Sequence, residues 1–212
     1  MMAFALHKLA LDNNSLLADL EYIHGRYYFR LYKFTDGLAS LQENEALPGI
    51  ISISDYLNAH LPGFKSEGFH QDKKGHVDAG GHFEASIYHA LKKQLDEIIS
   101  SVRPAGVKQQ IEIDMVIRSG NNVGIIEAKT GANKAGIDQL DTAGNPIYLG
   151  EHTIKFLVTG RYLSPAYKAL ALAQKIHVVE LPGYSQGRGL GNKDKRHLVQ
   201  TVGTTLTSQR QW

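Results

Sequence analysis

The sequence contains no cysteine. Disulfide staples and thiolate metal centres are therefore excluded, and any metal chemistry must rest on oxygen or imidazole donors. No stretch approaches the roughly 18 consecutive apolar residues that a membrane-spanning helix needs. The first residues, MMAFALHKLALDNN, lack the charged start, long apolar centre and small-residue cleavage site of a secretory signal. A cytoplasmic location is the resulting expectation. Charge of one sign is also scarce: the 212 residues carry a formal net charge of only +2. Bulk charge thus names no partner class. There is no glycine-rich phosphate loop of the Walker or dinucleotide type; GYSQGRGLGNK has glycines, but no strand-to-helix context in the sequence confirms it. There is no G-x-S-x-G nucleophile elbow, and no internal repeat suggests a solenoid or propeller.

What is present is an ordinary globular composition, 42% hydrophobic and 21% charged, enough for one good-sized domain with a smaller attachment. Residues 1–66 read as a small N-terminal α/β appendage. Two β-prone runs flank His24-Gly25 in LLADLEYIHGRYYFRLYKFTDG, PGIISIS reads as a further strand, and SDYLNAHL as a short helix capped by Ser54 or Asp55. The stretch RYYFRLYK interleaves cations and aromatics, which suits sheet packing better than base stacking. KSEGFHQDKKGHVDAGG, Lys65 to Gly81, reads as a polar linker.

A main domain is expected over 67–182. Its first element is a long helix from Gly81 to about Ser100, because Phe83, Ile87, Leu91, Leu95 and Ile98 recur at spacings of three and four. A hairpin turning at Ser119–Asn122 follows, then a helix over about Asn133–Ala143, the apolar strand TIKFLVTG, a helix starting at Ser164-Pro165, and the strand IHVVELPG. Helices alternating with apolar strands imply a mixed sheet flanked by helices. Residues 183–212 hold Arg188, Lys193, Lys195, Arg196 and Arg210 against the single acid Asp194, and read as a basic, glycine-containing tail.

The chemistry concentrates in IEIDMVIRSGNNVGIIEAKTG, residues 111–131. Strand side chains alternate with a period of two. Glu112, Asp114 and Val116 therefore share one face, and Val123, Ile125, Glu127 and Lys129 share another that a tight turn brings beside it. Two neighbouring carboxylates repel, and a divalent cation such as Mg²⁺ relieves that repulsion. A lysine two positions on can orient an attacking water, assist its deprotonation or stabilise charge developing on a phosphate. Carboxylates, cation and lysine together compose a phosphodiester-cleaving site. Glu112, at the strand's start, is expected to be solvated.

Asp114, twelve intervening residues, then Glu127-Ala128-Lys129 resembles the motif of the PD-(D/E)xK nuclease superfamily. The helical Glu84 in GGHFEASIYHAL matches the glutamate that many of those enzymes carry upstream. GGHFE, EIDMVI and IIEAKTG together look closest to the nuclease domain of CRISPR-associated effectors that join a CARF sensor to a PD-(D/E)xK nuclease. The resemblance covers about Gly80 to Leu181, and Ile113 stands where the motif's proline would be.

The resemblance implies a restriction-endonuclease-like core and a metal-dependent endonuclease, with DNA ahead of RNA as substrate and a link to antiviral defence. Asp114 and Glu127 would be ligands to Mg²⁺ or Mn²⁺, with the Ala128 carbonyl as a third and Glu84 in support. Lys129 would be the catalytic lysine. Gln139 and Lys134, on the following helix, are candidate nucleic-acid contacts. The resemblance also suggests a homodimer, and a sensor domain or partner chain outside these residues. The branch's activation by a cyclic oligonucleotide is not carried over. Two rival readings remain: a non-catalytic nucleic-acid-binding or assembly module on the same fold, and a specific restriction or junction-resolving endonuclease.

Overall fold

A computed structural model of the chain describes residues 12–13, 15–23, 26–36, 38–46, 51–66, 68–69, 76–105, 112–150 and 152–208. The chain forms two compact units, Met1–Ile51 and Ser52–Trp212.

The first unit is a three-stranded antiparallel sheet in the order β1 (Leu16–Ile23), β2 (Arg26–Thr35), β3 (Leu38–Ala46). The two runs around His24-Gly25 pair as expected, from Leu16↔Lys33 to Ile23↔Arg26; the turn itself lies outside the described residues. The sequence reading did not single out β3. Its Gln-Glu-Asn-Glu run looks like loop, yet it pairs with β2, whose last neighbour Asp36 adopts φ 51°.

The second unit is α/β. A six-stranded sheet runs β4 (Lys65–Ser66), β5 (Glu97–Arg103), β6 (Ile113–Ser119), β7 (Asn122–Lys129), β8 (Ile154–Thr159), β9 (Ile176–Glu180), in that spatial order. Pairing is antiparallel from β4 to β7 and parallel from β7 to β9. The sheet is therefore mixed, as the alternation of elements predicts. Among the described residues six helices accompany it: α1 (Ile53–His60), α2 (Ala79–Leu91), α3 (Ala135–Ala143), the single turn α4 (Pro146–Leu149), α5 (Pro165–Ala173) and α6 (Asn192–Ser208).

Two cores follow from strand alternation. On one face Val116, Val123, Ile125 and Leu157 pack with Ile53 and Leu57 of α1 and with Ile137 and Leu140 of α3. On the other, Met115, Ile117, Ile126 and Phe156 pack with Phe83, Ile87 and Leu91 of α2 and with Leu198, Val202 and Leu206 of α6. Each such fully buried side chain contributes about 1.5–3 kcal/mol, so β6 and β7, apolar on both faces, are the best-anchored strands in the sheet.

Five local expectations are corrected. The long helix stops at Leu91, and Glu97–Arg103 is strand β5. Leu95 and Ile98 fit a helical spacing by coincidence, whereas Ile98, Ile99 and Val102 are β-branched and pair along β6. No strand forms at Ile51-Ser52; Pro48 to Ile50 lie outside the described residues. Ser52 instead caps α1, its hydroxyl accepting the Asp55 N–H at 3.1 Å, so the cap is neither Ser54 nor Asp55. Part of the polar linker is ordered, with Lys65-Ser66 pairing to β5 and Asp78 capping α2. Much of the stretch read as a basic tail is α6, whose Leu198, Val202 and Leu206 recur every four residues and are buried.

Candidate active site

The site begins where the sheet opens. The β6–β7 ladder runs from Ser119↔Asn122 to Met115↔Ile126. Continued one step, that register sets Asp114 against Glu127, and here a side chain enters the ladder. Asp114 Oδ2 accepts the Ala128 N–H at 2.7 Å. On the other side of Asp114, β5 skips a pair between Ser100↔Met115 and Val102↔Ile113. The skipped residue, Ser101, adopts φ 51°, a left-handed conformation uncommon for a residue with a Cβ. Both flanking strands are thus irregular at Asp114, and a carboxylate takes a place that backbone pairing fills elsewhere.

Buried carboxylates come from three elements. Asp114 is 8% exposed on β6, Glu127 2% on β7, and Glu84 7% on α2. Lys129, two residues past Glu127 and on the same face, places its ammonium 2.5 Å from Glu127 Oε1. Apart from that ion pair, Glu127 Oε1 has no partner among the described residues. Two glycines shape the surroundings. A Cβ on Gly136 of α3 would lie 2.6 Å from Leu157 Cδ1 and 3.2 Å from Lys129 Cγ, so only glycine lets α3 press onto the lysine stem. A Cβ on Gly80 would sit 3.2 Å from Asp78 Oδ1 and 4.0 Å from Glu84 Oε1, so glycine spares the Asp78 cap a tight contact.

A cleft of about 270 Å³ opens here, lined by Asp78, Gly80, Glu84, Glu112, Asp114, Ala128, Lys129, Thr130 and Gln139. Five of the residues singled out from sequence therefore share one wall system: Glu84, Asp114, Ala128, Lys129 and Gln139. Glu127 lies buried beside them, held by its contact with Lys129. Lys134 is not among the lining residues; its ammonium pairs with Asp138 on its own helix at 3.2 Å. Glu112, expected to be merely solvated, also faces the cleft. It accepts the Ser101 hydroxyl at 3.0 Å and pairs with Arg103 at 2.9 Å. Its period-two relation to Asp114 was the available signal. Asp78, Thr130 and Gly136 were missed because they bear on the site only once the chain is folded.

The electrostatics are those of too much negative charge in too little water. Burial pushes Asp114 up to about 7; Glu84 adds to the rise, while Lys129 and the Ala128 N–H oppose it. Burial likewise pushes Glu127 up to about 8, reinforced by Asp114 and opposed by Lys129. Burial pulls the Lys129 ammonium down, but Glu127, Asp114 and Glu84 outweigh it and the net shift is upward. Lys129 is thus held as a cation, and the acids titrate as a coupled set.

The donors are all oxygens, which suits a hard divalent cation such as Mg²⁺ or Mn²⁺ and not a thiolate- or imidazole-seeking metal. Among the described residues no group of three or more His, Cys, Asp or Glu side chains stands close enough to hold an ion by itself. A cation here would therefore have fewer than three such side chains to draw on and would complete its shell from other oxygens and solvent, which Mg²⁺ tolerates because it keeps several waters.

No protein-family model matches the chain, and no curated protein matches it. Among solved structures the chain is similar to Can2 from Sulfobacillus thermosulfidooxidans in complex with cyclic tetra-adenylate (cA4). The identity is 14% and the TM-score 0.57, over 97% of this chain and 74% of that one. Protein VC1899 from Vibrio cholerae matches at 16% identity and a TM-score of 0.49, over 74% of this chain and 42% of the other. At these identities the likeness to Can2 is one of fold. Among the described residues no helix is long and apolar enough to cross a membrane.

Proposed function

We propose that the chain is a metal-dependent nuclease of the PD-(D/E)xK type, with Asp114, Glu127 and the Ala128 carbonyl as ligands to Mg²⁺ or Mn²⁺. The observation that carries this reading is the buried Glu127 carboxylate, whose Oε1 has among the described residues only the Lys129 ammonium as a partner, beside a second buried carboxylate. Such a pair is costly unless something cationic compensates it. One ammonium against Glu84, Asp114 and Glu127 compensates it only in part.

The order of α2, three antiparallel strands, α3 and the parallel strand β8 supports a restriction-endonuclease-like core. The fold likeness to Can2, whose solved structure is a complex with cA4, supports a place in CRISPR-linked defence. A homodimer remains part of the proposal, by resemblance.

When bound, the cation would supply Lewis-acid polarisation of a phosphoryl oxygen and an activated water nucleophile. The chain's own residues do the rest. Lys129, still protonated at neutral pH, donates to a non-bridging oxygen or orients the attacking water. Gln139, on the cleft wall, can hold a phosphate through its amide. Glu84 and Glu112 keep the mouth acidic, so a phosphodiester enters only once the negative charge is offset. Nucleic acid is the substrate class, DNA ahead of RNA, held mainly through its phosphates.

The test is cleavage of plasmid and of single-stranded DNA and RNA with Mn²⁺, with and without chelator. Chelator-sensitive cutting that falls by about 10²-fold or more in Lys129→Ala supports the enzyme. Binding indifferent to both metal and Lys129, with no cutting, would instead indicate a non-catalytic module. In that case the Glu127–Lys129 pair is a closed structural contact. Defined product ends would point to a specific restriction or junction-resolving activity.

A further inference from the structure

A second, larger cavity of about 450 Å³ adjoins the acidic cleft, and Thr130 lines both. It lies where β7 and β8 leave the sheet. The Gly160 N–H donates to the Lys129 carbonyl at 2.8 Å, and a Cβ on Gly160 would meet the Thr130 carbonyl oxygen at 2.9 Å, so the two strand ends are locked edge to edge. Beyond them the walls are Gly131, Arg161, Tyr184 and Gln186. Gly131 has nothing within 4 Å of where its Cβ would be and leaves the floor open.

The chemistry differs from that of the first cleft. No carboxylate lines this cavity. Arg161 is exposed and makes no ion pair among the described residues, while its backbone carbonyl is pinned by the Thr159 hydroxyl at 2.8 Å. Tyr184 is braced from behind by Phe83, the ring centroids 4.5 Å apart and tilted by 58°. Gln186 rides on a tight loop closed by the Ser185↔Gly189 bridge, with Gly187 and Gly189 at positive φ. This loop, GYSQGRGLGNK, does stand between a strand and a helix, β9 and α6, a setting the sequence alone did not reveal.

We propose that this cavity is the subsite for the nucleotide next to the scissile phosphodiester, with Arg161 as its phosphate contact and Tyr184 as its apolar wall. The inference rests on the nuclease reading for the identity of the neighbouring cleft. A guanidinium with no ion pair among the described residues, lining one cavity with an aromatic ring and an amide, is a suitable set for a nucleotide's phosphate, base face and base edge. The volume lies in the usual range for a small-ligand site. Thr130, one residue past Lys129, lines both cavities and makes them neighbours.

The test measures binding apart from cutting. A fluorescein-labelled single-stranded oligodeoxynucleotide is titrated with the full chain in Ca²⁺, by anisotropy, over a series of salt concentrations. Arg161→Ala is expected to weaken binding by about tenfold or more and to lower the magnitude of the log–log salt slope by about 0.7. Lys193→Ala, removing an exposed cation of α6 outside both cavities, should change neither. An unchanged affinity in Arg161→Ala, an equal loss in Lys193→Ala, or no binding by the wild type would overturn the subsite. Wild-type protein that binds through Arg161 yet never hydrolyses would sink the nuclease reading and leave Arg161 as a nucleotide contact with no scissile bond beside it. Hydrolysis with binding indifferent to Arg161 would do the reverse.

Discussion

Glu127→Gln is expected to abolish Mn²⁺-dependent cleavage and, in the same protein, to raise the melting temperature of the chelator-treated form. The two effects have one cause. Glu127 is 2% exposed, and burial followed by the field of Asp114 pushes its carboxyl up to about 8. The isosteric amide keeps the volume but removes the charge whose burial is unfavourable. Lys129 is not stranded by the change, since Asp114 and Glu84 still act on it and its side chain is 27% exposed. At about pH 8.5, where the wild-type carboxylate is ionised, a gain of ~1 kcal/mol corresponds to roughly 2–4 °C for a chain of this size. Cleavage should fall by at least about 10²–10³-fold, because a direct oxygen ligand is lost. A melting temperature that drops instead would show Glu127–Lys129 to be a net stabilising pair, and cutting that survives would remove Glu127 from the chemistry.

The second large effect is a pH dependence that metal opposes. Asp114 rises from 3.8 to about 7 and Glu127 from 4.5 to about 8 on folding. Carboxyls raised in this way stabilise the fold fully below their unfolded values. They lose that contribution as pH rises through the folded ones, because the folded state binds more protons across the interval. Lys129 stays protonated in both states there and adds no slope. Metal-free protein should therefore melt progressively lower from about pH 4.5 to about pH 8. A divalent cation competes for the deprotonated oxygens, so its stabilising increment grows over the same range. Melting curves at several pH values, with chelator and with Mn²⁺, should diverge as pH rises. Parallel curves would mean that the two acids neither bind the ion nor change protonation on folding.

The hairpin carrying the acids was legible because its pattern is a conflict. Asp114 and Glu127 interrupt runs that otherwise favour burial, and alternation sets both on one face. The strand–turn–strand signal at Gly120 and the cap-plus-proline start at Ser164-Pro165 are likewise local, and both stand in the fold. What was misread depends on partners far along the chain. Ile98 and Leu95 fit a helical spacing until β6 is there to pair with Ile98. Leu198, Val202 and Leu206 sit among polar residues, and only the face of the sheet shows them to be core. Glu112 looks solvated until Ser101 and Arg103 arrive from β5. Arg161 and Tyr184 share a cavity only because β8 and the β9–α6 loop end at the same edge of the fold.

The most direct measurement is a crystal of the protein soaked in Mn²⁺ and examined by anomalous scattering. The account predicts one strong peak in bonding distance of Asp114 and Glu127 oxygens and of the Ala128 carbonyl, with the Lys129 ammonium displaced from Glu127 Oε1 toward the cleft. A map with no peak there, and Lys129 still seated on Glu127, would contradict it.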